Sequence, residues 1–110
     1  MRRAISMGSV VWNVSDIGRA AQFWTSALGF VARPDNPAFL GPHSGTNTRL
    51  HLDETDRTHL DLWVDPDSDL QTEVDRLISL GARRVEWTYP EDADFVVLAD
   101  TEGNLFCVIA

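Results

Sequence analysis

Cysteine is almost missing from this chain: Cys107 is the only one in 110 residues. A single thiol cannot build an internal disulfide framework, so the fold must stand on packing, and a reducing cytoplasm is the expected setting. Long apolar runs are missing too. Met1-Arg2-Arg3-Ala4-Ile5-Ser6 is basic but leads into no apolar stretch of signal-peptide length, and no window is long and apolar enough to span a bilayer. Positive charge is scarce, with 9 basic against 17 acidic residues and a net charge of −8. That balance repels nucleic acid and anionic membrane surfaces, so neither is expected as a partner.

What is present is ordinary globular material, 44% hydrophobic and 24% charged, in the amount one compact domain needs. The acidity is lopsided. Residues 1–55 carry 5 basic and 4 acidic side chains (+1), and residues 56–110 carry 4 and 13 (−9). A solvated acidic face accounts for this, as does a mouth that attracts cations.

Ser9-Val10-Val11-Trp12-Asn13-Val14 is rich in β-branched and aromatic residues and stops at Ser15-Asp16, a pair suited to a turn and a helix N-cap. Ile17, Ala20, Ala21, Trp24, Ala27 and Leu28 then recur at helical spacing, with Gly29 placed for a left-handed C-terminal cap. Phe30–Arg33 and Ala38–Leu40 read as short strands around the turn residues Pro34-Asp35-Asn36-Pro37, and Arg49–Asp53 alternates with period two. His43 falls in a Gly/Pro loop and reads as a surface residue.

The second half repeats the order. His59–Val64 alternates polar with apolar, Ser68-x-x-Gln71 fits a capping box, and Leu70, Val74, Leu77 and Ile78 form a stripe closed by Leu80-Gly81. Strands are expected at Val85-Glu86-Trp87, Phe95–Ala99 and Leu105–Ile109, and Asp100–Asn104 reads as a turn without calcium-loop spacing. Strand, helix and three strands therefore occur twice, about fifty residues apart, and two copies exclude a solenoid. Only Glu54-Thr55-Asp56-Arg57-Thr58 separates them, so 1–54 and 55–110 are expected to be two modules of one domain.

Ser9–Asp16, Ala20-Ala21-Gln22-Phe23-Trp24 and Leu28-Gly29-Phe30 resemble the opening module of the glyoxalase/bleomycin-resistance/extradiol-dioxygenase, or vicinal oxygen chelate, superfamily. His59–Leu62, Glu73–Leu77, Leu80-Gly81-Ala82-Arg83-Arg84 and Asp100-Thr101-Glu102-Gly103-Asn104-Leu105-Phe106-Cys107-Val108 resemble its small glyoxalase-like domains. The resemblance implies an α+β fold in which two βαβββ modules form a curved, eight-stranded half-barrel cup. Catalytic members hold a divalent metal there, ligated from the first and last strands of each module, and use it as a Lewis acid.

Mapped onto those positions, His59 agrees with the pattern, Ser9 is a weak neutral ligand, and Cys107 stands where the metal enzymes carry glutamate. A thiolate shifts preference toward zinc-like ions. The fourth position falls within a residue or two of His51, since Arg49, His51 and Asp53 share one strand face. A cofactor is not expected on this reading. His51, His59 and Cys107 are the residues that would hold a divalent metal if one is used, with Arg49 opposing a cation beside them.

Trp12 shares a face with Val10 and Val14 and is expected beneath a helix, and Trp24 is expected in the core. Trp63 shares a strand face with His59 and Asp61, the side the family turns toward the cup, and an aromatic wall beside a carboxylate suits a planar or cationic ligand. Asp61 is the candidate general base should the cup desolvate it, and Ser9 and Asn13 are neutral hydrogen-bonding candidates. Trp87 and Tyr89 fit either the cup rim or cover over a sheet edge. Three readings follow: a metal-independent binder of small planar or cationic molecules, like the antibiotic-sequestering members; a metal-dependent lyase, isomerase or dioxygenase; or a diverged regulatory or interaction module. The short chain and the family's habit of completing cups between chains make a homodimer the expectation.

Overall fold

The computed structural model describes residues 4–42 and 48–110; His43 and the rest of its loop lie outside the described residues. The elements are β1 (Ile5–Asn13), α1 (Ile17–Leu28), β2 (Val31–Arg33), β3 (Asn36–Gly41), β4 (Arg49–Asp53), β5 (His59–Val64), α2 (Leu70–Ser79), β6 (Arg83–Arg84), β7 (Phe95–Ala99) and β8 (Leu105–Ile109). Among the described residues this is the expected α+β fold, with two helices and eight strands. The chain forms two compact units, Gly8–Thr58 and a second made of His59–Ala110 with the residues up to Met7.

In the Gly8–Thr58 unit the strand order is β2-β3-β4-β1. β1 runs parallel to β4, with Ser9 opposite Arg49 and Val11 opposite His51, and β3 runs antiparallel to β4, with Phe39 opposite His51. A parallel pair needs a crossover, and α1 is its main part. The Asp16 carboxylate caps α1 by accepting the Arg19 N–H at 2.9 Å, and Gly29 closes it at φ 69°, where a side chain would be strained. Glu54 adds a second acceptor at that end, taking the Ile17 N–H at 2.9 Å.

The second unit repeats this plan as β5-β8-β7-β6. β5 is parallel to β8, with Asp61 opposite Cys107, and β7 is antiparallel to β8, with Val97 opposite Cys107. Its core is Val74 of α2 against Leu98 and Val108, flanked by Ile5, Val64, Leu70, Leu77, Val96 and Phe106. Alternation sends Val96, Leu98, Phe106 and Val108 toward the helix and leaves Val97 and Cys107 on the other face. Glu73 and Arg76 are buried as a pair at 3.1 Å, and Glu73 also accepts from the Ser68 hydroxyl. A buried charge needs such a partner, which is why both members are there.

Several local expectations are corrected. The N-cap of α2 is Asp69, not Ser68: the Asp69 carboxylate accepts the Thr72 N–H at 2.8 Å. Ile78 is exposed, and Glu73 and Arg76 take the buried places beside Val74. Val85-Glu86-Trp87 is not a strand; β6 stops at Arg84 because the Tyr89 hydroxyl accepts the Val97 N–H at 2.8 Å, the group a longer β6 would meet next in register. Trp24 is half-buried, α1 has no fully buried residue, and Trp12 is 40% exposed although it meets Trp24 edge-on at 6.4 Å.

Candidate functional site

Strand alternation assembles the first candidate site. His59, Asp61 and Trp63 point to the face of β5 away from Leu60, Leu62 and Val64, and parallel register sets Cys107 directly beside Asp61. Antiparallel register then adds Val97 beside Cys107. The face thus carries His59, Asp61, Trp63 and Cys107, with Val97 buried beside them.

In that corner His59 Nε2 lies 3.1 Å from Asp61 Oδ1, and the two side chains are only 9% and 17% exposed. Cys107 Sγ joins them: one nitrogen of His59, one oxygen of Asp61 and the thiol sulfur all lie within 4.8 Å of one another. Among the described residues this is the trio of His, Cys, Asp or Glu groups that gathers so closely. It differs from the His51/His59/Cys107 set, because Asp61 fills the third place through the i, i+2 period of the strand. Trp63, 40% exposed, stands next along the same face.

Cys107 is half-buried. A nitrogen, oxygen and sulfur donor set suits a zinc-like ion better than a hard cation. With no ion, the same atoms form a hydrogen-bonding corner in which a largely desolvated carboxylate is braced by an imidazole.

The other sequence candidates lie in the Gly8–Thr58 unit. Ser9 is 2% exposed, opposite Arg49. His51 stacks flat on Phe39, ring centroids 4.0 Å apart and planes 16° off parallel, and the Arg49 guanidinium sits 4.6 Å from the same ring's centroid. Burial pushes the Arg49 guanidinium below its ordinary value, and repulsion from Arg33 adds to this. Phe39 was not legible as a site residue; the signal was its register position opposite His51. Register also shows His51 and Cys107 to be counterparts, each two steps beyond the opening position of its module, opposite Val11 and Asp61.

Asn13 serves the connection between the halves. Its backbone N–H donates to the Thr58 hydroxyl at 3.0 Å, and its side-chain amide donates to the carbonyls of Asp56 at 2.7 Å and Asp53 at 3.4 Å. Asp53 folds the same segment, since its carboxylate accepts the N–H groups of Thr55 and Asp56, which hold it below the usual carboxylate range. Tyr89 packs on Phe95 at 5.5 Å and covers the β7 edge.

A family model described as a glyoxalase-like domain matches residues 9–109. No curated protein matches the chain.

Proposed function

Because the chain belongs to the glyoxalase-like domain family, we propose that it binds a small planar or cationic molecule, with no metal required, on the β5/β8 face of its second unit. The observation that carries this reading is the Asp61 carboxylate, 17% exposed and braced by His59 at 3.1 Å, with the half-open indole of Trp63 two residues along the same strand face. A cation placed over Trp63 meets the negative face of the ring and a carboxylate that water screens poorly. Half-buried Cys107, opposite Asp61 in register, borders the same corner. The 13 acidic residues of positions 56–110 favour approach of a cation over an anion.

The planar cationic dye proflavine, titrated while tryptophan emission is followed, is the direct test. Saturable quenching is expected, weakened about tenfold or more in Asp61→Asn and in Trp63→Ala, with a planar anion of similar size giving none. Emission unchanged by a broad panel of planar cations sinks the proposal.

A second reading has its own observation. His59, Asp61 and Cys107 bring three donor atoms within 4.8 Å, which fits a zinc-like ion with an open position; bound there, it would act as a Lewis acid on a chelating substrate. We expect substoichiometric metal in the purified protein and no rise in thermal midpoint on adding zinc, nickel, manganese or iron(II). About one tightly held metal per chain, lost in His59→Ala, would replace the metal-independent reading with this one.

A further inference from the structure

The Gly8–Thr58 unit contains a hollow that the β5/β8 face does not use. It has a volume of about 300 Å³, with Val10, Trp12 and Leu50 as its floor and Trp24, Leu28 and Phe30 as its wall. The floor follows from register: Val10 lies opposite Leu50, so both point to the helix side of the sheet, and Trp12 follows two residues on. The wall follows from α1, which carries an apolar stripe yet buries no residue fully.

We propose that this hollow is a second binding site, for an uncharged flat aromatic molecule of one or two fused rings. Three observations select that class. The volume is at the small end of the range of ligand pockets, which begins at roughly 300 Å³, so a fused bicycle fits where a folded chain does not. Trp12 and Trp24 meet at 90° with centroids 6.4 Å apart, and a planar guest beside such a pair can stack on one indole and present its edge to the other. The lining brings in little charge. Thr48 and Arg49 stand at its margin, but the Arg49 guanidinium lies over Phe39, and β4 alternation turns that residue away from Leu50. An anion would gain little there, and a cation would find no carboxylate in the lining.

Leu28 and Trp12 keep 53% and 40% of their surface exposed. Covering them with an aromatic guest removes apolar area from water that packing of α1 leaves wet.

The probes are indole and 2-naphthol, titrated into the full chain while backbone amide and indole N–H signals are followed by NMR. Saturable shifts centred on Trp12, Trp24, Leu28 and Leu50 are expected. Val10→Phe, which fills the floor, should weaken binding at least about tenfold. Leu28→Ala, truncating an exposed side chain and so sparing the fold, should weaken it severalfold. Asp61→Asn should leave it unchanged, so this site and the β5/β8 face fail or stand separately. Shifts centred on β5 and β8, no saturation up to the solubility limit of either probe, or shifts at α1 that vanish on dilution without a probe and so report self-association, would each overturn the proposal.

Discussion

Asn13 shows how one side chain can satisfy a pattern-based expectation and yet do different work. Its place on the polar face of β1 suits a ligand contact, but its amide is spent on the carbonyls of Asp56 and Asp53, and its N–H on Thr58. Removing the amide leaves two carbonyls to water at an exposed site, where a net hydrogen bond is worth about 1 kcal/mol. Asn13→Ala is therefore expected to lower unfolding free energy by about 1 kcal/mol while leaving the proflavine affinity unchanged. Denaturant melts together with the dye titration check both; a loss of dye affinity with stability intact would return Asn13 to the site. His59 and Asp61 differ because each is the other's partner, so their polarity remains on the open face of the strand.

At the scale of elements, most of the fold was legible because its signals are local. Asp16 and Gly29 bracket α1 with a cap at each end, and period-two alternation marks β4 and β5. The segment after Arg84 was not legible. Val85-Glu86-Trp87 has the composition of a strand, yet a tyrosine hydroxyl four residues further on competes for the same Val97 N–H, a contact no local pattern encodes. The N-cap of α2 slid by one residue for a related reason: Ser68 and Asp69 both suit the place, and Ser68 is engaged with buried Glu73 instead. In the candidate site, the meeting of Cys107 with Asp61 depends on β5/β8 register, and sequence supplies strand faces but not register. The edge contact itself is testable. Val97 is 2% exposed, so Tyr89→Phe strands its N–H and should cost about 1–3 kcal/mol. Amide exchange at Val97 should accelerate relative to Leu98, whose N–H points to the opposite side of β7, toward β8. Equal protection in both proteins would show that the hydroxyl is not what holds that edge.

For the whole molecule, acid response sets two effects against each other. Lowering pH from neutrality toward the isoelectric point near 4.6 relieves the repulsion among 17 carboxylates. Below that, three of those carboxylates resist protonation because they accept backbone N–H groups: Asp53 from Asp56 and Thr55, Asp69 from Thr72, and Asp100 from Asn104 and Glu102. Each is held below its ordinary value of 3.8 in the folded state. Groups depressed on folding contribute stability that is fully present above the unfolded value and is lost as pH falls through the folded one. Stability should therefore hold or rise slightly from pH 7 toward the isoelectric point, then fall once pH drops below about 4. The combined variant Asp53→Asn, Asp69→Asn, Asp100→Asn keeps an acceptor oxygen at every turn and cap, since asparagine caps about as well as aspartate, but removes the titration. It should stay folded at neutral pH and lose much of the slope below pH about 4 in denaturant midpoints. A slope unchanged in that variant would mean that acid unfolding is driven by net positive charge and not by these three turns.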